Sequence, residues 1–241
     1  MNVKKMYKMG RYKEIVERYD ESIDPVDEET KRYVLSSIDI VEQAIDEIDD
    51  LQNKYIQYKR SRNMDDASYL QLLEDLSYDA FVLDEQDLCI SVLKDIYEFY
   101  KNKYSENDSQ TLDTLYRLGR VVITFERYSE GLEVLKKYYY AKKSLYGIDD
   151  LTCDALEGIT ALYSNNGDIT HCREYNNYLY EDALIVDGFG SERALKACYT
   201  VADCSFDLGE YEQALLQAQQ CFSMQKKKFT LFHDDTLRTY Y

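Results

Sequence analysis

Small side chains return at a fixed interval along this sequence, and that interval constrains the fold more than any other feature. Four six-residue segments set the register: DEQDLC (84–89), ERYSEG (126–131), GDITHC (167–172) and GEYEQA (209–214). Their last residues, Cys89, Gly131, Cys172 and Ala214, are spaced by 42, 41 and 42. Twelve residues before each stands another small residue: Ser77, Gly119, Thr160 and Ala202. Leu76, Leu118, Ile159 and Val201 immediately precede these, and Leu73, Leu115, Leu156 and Cys198 lie three residues further back. Columns that keep one chemical character in register over about 160 residues mark an internal repeat.

The physical reading is a pair of antiparallel helices per unit, joined by a short turn at Asp84, Glu126, Gly167 and Gly209. Small residues belong where the two helices touch, because a bulky side chain there would force the axes beyond the ~8–10 Å of close packing. The surrounding apolar columns fill the seam between neighbouring units, which cannot bury their faces alone and so must stack. Composition agrees: 241 residues with one proline and nine glycines carry too few chain breakers for an all-β fold. Hydrophobic residues, at 45%, suffice for a sizeable core.

The pattern resembles the tetratricopeptide repeat, whose small-residue positions match Gly119, Ala202, Gly131 and Ala214 and whose Gly-x-Tyr turn matches Gly209 and Tyr211. A unit of about 42 residues is similar to the kinesin light chain type, longer than the usual 34. The resemblance implies an all-α, right-handed α-solenoid of stacked antiparallel helix pairs, with four repeats over 63–235. It is strongest in the last unit and weakest in the first, where the turn reads DEQD. The family's late helix-breaking proline is absent throughout.

Residues 1–62 follow a different register. Gly10 and Tyr12 repeat the Gly-x-Tyr signal and suggest the second helix of a degenerate unit. From about Val26 to Arg60 no breaker occurs, and Ile38, Val41, Ala44, Ile45, Ile48 and Leu51 recur at helical spacing. With Pro25 as a helix-start signal, this reads as one long helix, or two with a subtle kink, that caps the open end of the stack. Residues 236–241, with Leu237, Tyr240 and Tyr241, read as the start of a further helix, as in a fragment of a longer chain. Acids precede the first helices (Asp108, Asp149, Asp150, Glu192) and bases close the second ones (Lys101, Lys103, Lys142, Lys143), which complements the helix dipoles. A basic ridge for an anionic partner is the alternative.

The formal net charge is −17. So acidic a chain repels phosphate backbones and anionic lipid, which disfavours nucleic acid and membranes as partners. No apolar stretch reaches the ~20 residues of a spanning helix, and the N-terminus carries no apolar signal core. The six cysteines, Cys89, Cys153, Cys172, Cys198, Cys204 and Cys221, therefore read as reduced thiols in a cytoplasmic protein. Nucleotide-binding, nucleophile-elbow and zinc-ligand motifs are missing, and of two histidines only His171 adjoins a cysteine. Cys172 fills a small inter-helix position, where a thiol acts as a small hydrophobe. The expectation is a non-enzyme without cofactor or metal.

What remains is surface. The family resemblance implies that the first helices line a concave groove. In this register the groove takes Tyr78 and Phe81, then Tyr116 and Arg120, then Glu157, and last Tyr199, Asp203 and Phe206. Tyrosine buries much area for little lost rotamer freedom, so an aromatic groove with acids suits a basic protein or peptide segment. The bland reading of these aromatics is packing on a neighbouring unit. The function expected is a binding scaffold, alone or as part of a larger chain or complex. The alternative is a peptide-sensing regulator whose solenoid changes shape on ligand binding, since the intracellular peptide receptors of Gram-positive bacteria use similar repeats.

Overall fold

A computed structural model describes residues 3–18, 27–62 and 64–228. Pro25, His233 and the further helix expected at 236–241 lie outside the described residues. Within them every regular element is helical, and the chain divides into two compact units, Met1–Val121 and Val122–Tyr241.

The first unit opens with two short helices, α1 (Val3–Lys8) and α2 (Tyr12–Arg18), which pack on the long α3 (Glu28–Ser61). Next come α4 (Asp66–Val82), α5 (Gln86–Lys103) and most of α6 (Ser109–Thr124). The expected long helix is thus one uninterrupted element of 34 residues. Its buried side chains are Val34, Ser37, Val41, Ala44 and Ile48, separated by alternating steps of three and four. That spacing keeps one narrow stripe against the core and leaves Ile45, a hundred degrees round the helix, exposed. The second unit holds α7 (Tyr128–Tyr146), α8 (Asp150–Asn165), α9 (Ile169–Val186), α10 (Glu192–Asp207) and α11 (Tyr211–Lys228). Consecutive helices pack on one another from α1 to α5 in the first unit and from α7 to α11 in the second, as stacked helix pairs require.

The turns sit where the repeat register placed them. Asp84, Glu126, Gly167 and Gly209 all take left-handed backbone, with φ of 58°, 62°, 70° and 78°. In each, the next amide reaches back to the carbonyl five residues earlier, as in Glu85 to Ala80 at 2.8 Å and Glu210 to Ser205 at 2.9 Å. This is the Schellman closure, which satisfies carbonyls at the end of the first helix. Gly10 carries the same geometry between α1 and α2, with Arg11 bonded back to Met6.

Small residues meet at the helix crossings as predicted. The Cys89 thiol lies 3.4 Å from the Ser77 carbonyl across α4 and α5, and Cys172 lies 3.9 Å from that of Thr160 across α8 and α9. Helix starts are capped by the acids: Asp149 and Thr152 form a reciprocal capping box on α8, and Asp108 accepts from the Gln110 amide. The basic ends do more than face a dipole. Lys101 pairs with Glu98, Lys103 with Asp66 and Lys142 with Asp149, while Lys143 enters a buried network with Asp182. These lysines are engaged within the fold and form no vacant ridge.

Candidate functional site

In the first unit the candidate residues lie on α4 and α6. Tyr78 is 52% exposed. Phe81 is half-buried because its ring packs against the turn at Gly10, so closely that a β-carbon there would come within 2.6 Å of it. Beside them a cleft of about 260 Å³ opens between Tyr78, Phe81, Leu93 and Val121. Its charged wall is a fork: Arg117 on α6 donates from Nη1 and Nη2 to the Glu74 carboxylate on α4, at 2.9 and 2.8 Å. The bidentate geometry fixes two successive first helices relative to each other. Tyr116 is half-buried, and Arg120, one turn on, lies over its ring and donates to its hydroxyl at 3.0 Å. Burial raises the Tyr78 hydroxyl pKa, with smaller contributions from Asp79 and Tyr7, so it stays a neutral donor.

In the second unit the candidates lie on α8 and α10. Tyr199 and Phe206 are 45% and 60% exposed, two helical turns apart, with exposed Asp203 between them. Phe206 meets Tyr211 of α11 edge to face, ring centres 5.4 Å apart. Glu157 belongs to a charged cluster centred on Arg193. That single guanidinium donates to Glu157 at 3.1 Å, Asp154 at 3.0 Å, Asp150 at 3.2 Å and Asp187 at 2.8 Å. Four carboxylates around one cation leave the neighbouring cleft, about 480 Å³ with Lys196 at its rim, with an excess of negative charge.

All eight sequence candidates therefore fall on α4, α6, α8 and α10, and all are exposed or half-buried. Phe81 is shared with packing, and Glu157 is tied to Arg193. The residues missed by sequence reasoning are the anchors Arg117 and Arg193. All their partners but Asp187, six positions before Arg193, lie 43, 39 or 36 positions earlier, close to the repeat length, so opposite charges one repeat apart were the available signal.

Two chemical alternatives lose support on geometry. His171 bonds through Nδ1 to Asp168 at 2.8 Å and stacks on Tyr163. All six cysteines are buried and outside any disulfide, and burial raises the Cys89 pKa to about 12 and that of Cys153 to about 11, which opposes nucleophilic thiolates. Among the described residues no His, Cys, Asp or Glu cluster is placed to hold a metal, and no helix is long and apolar enough to cross a membrane.

No family model and no curated relative matches the sequence. Solved structures do match the fold. The crystal structure of a Podosopora anserina kinesin light chain protein with nearly identical TPR-like repeats aligns with a TM-score of 0.56 at 13% identity, over 95% of this chain and all of that one. BtubC (BKLC) from P. vanneervenii aligns at 0.53 and 9% identity, over 83% and 78% of the two chains. The apo form of RapI aligns at 0.52 and 15% identity, over 93% of this chain and 60% of the other. The likeness establishes the fold: helix pairs repeated in the manner of long-unit tetratricopeptide proteins.

Proposed function

We propose that this chain is a non-catalytic scaffold that holds a protein or peptide segment against the faces of its first helices. The observation that carries the reading is the solvent-exposed pair Tyr199 and Phe206 flanking Asp203 on α10. Large aromatics left open on a helix face cost hydration free energy unless a partner covers them, and aromatics dominate binding hot spots. Tyr78 and Tyr116 offer the same chemistry in the first unit. The negative excess around Arg193, within a chain of net charge −17, selects a basic segment and makes its capture salt-dependent. The reading places the protein in the cytoplasm, without a nucleic-acid or membrane partner.

The test is selection of peptides from a random library on the immobilised chain. Basic, apolar-containing sequences should be enriched and should elute as salt rises. The double variant Tyr116→Ala, Tyr199→Ala should keep its helicity and bind them at least about tenfold more weakly, the loss typical of truncated anchors. Undiminished binding by that variant would remove the aromatic faces from the account. Small-angle scattering with and without the selected peptide separates scaffold from sensor: unchanged dimensions fit the scaffold, and a shift fits a regulator.

A further inference from the structure

Cys198 on α10 and Cys221 on α11 make reciprocal contacts. The Cys198 thiol lies 3.8 Å from the carbonyl of Gln217, one turn before Cys221, and the Cys221 thiol lies 3.8 Å from the carbonyl of Leu195, one turn before Cys198. Each sulfur therefore sits against the other cysteine's helix, one turn from the other cysteine. They occupy one apolar cluster with Ala183, Ala194, Leu195 and Met224. A covalent bond would bring the two sulfurs to ~2.0 Å.

From this juxtaposition we infer that Cys198 and Cys221 form a dithiol–disulfide site, which a peroxide oxidises to a bridge between α10 and α11. One thiolate attacks the peroxide oxygen and becomes a sulfenic acid as the O–O bond breaks and water leaves. The second sulfur attacks the first, forms the S–S bond and releases a second water. The pair loses two hydrogens, and hydrogen peroxide is reduced to two waters. The neighbouring Cys221 thiol and burial both raise the Cys198 pKa, so the reduced pair is quiet in the closed protein and reacts as α11 opens. Once formed, the bridge holds α11, with Tyr211, against α10, with Phe206.

A second pair gives an internal comparison. Cys172 and Cys204 are also neighbours, but Cys172 already donates toward the Thr160 carbonyl and accepts from Asn176 Nδ2 at 3.5 Å. Cys89 and Cys153 lie on other helices.

The experiment treats the full chain with hydrogen peroxide, alkylates free thiols under denaturing conditions, and maps the peptides without reduction. The expected result is a Cys198–Cys221 crosslink that dithiothreitol reverses, absent in Cys198→Ala and in Cys221→Ala. Hydrogen exchange of α11 amides should slow roughly tenfold on oxidation, since the bridge blocks local opening. Both variants remove the bridge independently, so one that fails to fold leaves the other decisive. Alkylation of both residues, irreversible over-oxidation without a crosslink, or a bridge at Cys172–Cys204 alone would overturn the assignment.

Discussion

Lys143 on α7 donates to the Asp182 carboxylate on α9 at 2.8 and 3.1 Å, and the Tyr139 hydroxyl closes the triangle at 3.0 Å. Asp182 is 1% exposed on its side chain. A buried carboxylate is tolerated only while its counter-charge and hydrogen bonds are present, because desolvation of the lone ion costs several kcal/mol. The network joins the second helices of neighbouring pairs, across 39 and 43 residues of chain. Lys143→Met should therefore destabilise the protein by about 3 kcal/mol in urea unfolding, and adding Asp182→Asn should recover part of that loss. A double variant whose loss equals the sum of the two single-variant losses would show that the pair is not coupled.

The four left-handed turns differ in what their residues tolerate. Glycine adopts this backbone freely, aspartate with modest strain, and a longer side chain such as glutamate at a cost of about 1 kcal/mol or more. Glu126→Gly should raise stability by about 1 kcal/mol. Asp84→Gly should gain less, because Asp84 tolerates the conformation and accepts from the Gln86 side chain at 3.3 Å. Gly209→Ala should lose about 1 kcal/mol. The order of the three midpoints in urea is the check: a gain at Asp84 larger than at Glu126 would contradict the strain account.

Crossing positions predict an inversion of ordinary core behaviour. Cys89 faces the Ser77 carbonyl at 3.4 Å, so a larger side chain must displace α4 from α5. Cys89→Leu should cost about 1–3 kcal/mol through overpacking and exceed the cost of Cys89→Ala. At a loosely packed apolar site the order would reverse, which thermal unfolding of the two variants decides.

The helix-pair register was legible because steric rules act locally and repeat: a small residue at each crossing and a left-handed residue at each turn recur by the same geometry in every unit. The long α3 was legible too, though its face was resolved only to within one residue, since Ile45 and Ile48 look alike until the stripe is seen. The charged network was not. With 46 acids in the chain, Arg193 and Lys143 each have many conceivable partners, and only packing selects Asp150, Asp154, Glu157, Asp187 and Asp182. Lys143 read as a helix-end charge because its buried partner lies a full repeat away. Phe81 read as open because Gly10, which it packs against, is 71 residues distant and in another register.

Asp79 on α4 is a buried acid of the opposite kind, with no counter-charge. It is 6% exposed, and its Oδ2 has neither solvent nor a hydrogen-bond partner. Burial above all, then the negative charges of Glu47 on α3 and Asp75 on α4, push its pKa up to about 6 from 3.8. The folded state thus binds a proton that the unfolded state releases between about pH 4 and pH 6, and stability from this group falls as pH rises through that window. Above it the charged carboxylate carries its full penalty, about 2–3 kcal/mol for a shift of this size. Asp79→Asn removes the charge and keeps the shape. It should be more stable than the parent by about 2 kcal/mol near pH 7, with the gap closing toward pH 4 as the parent's Asp79 takes up its proton. Urea unfolding of both proteins across that range measures the gap directly. A gap independent of pH would mean that Asp79 titrates alike in the folded and unfolded states and that the substitution acts through packing.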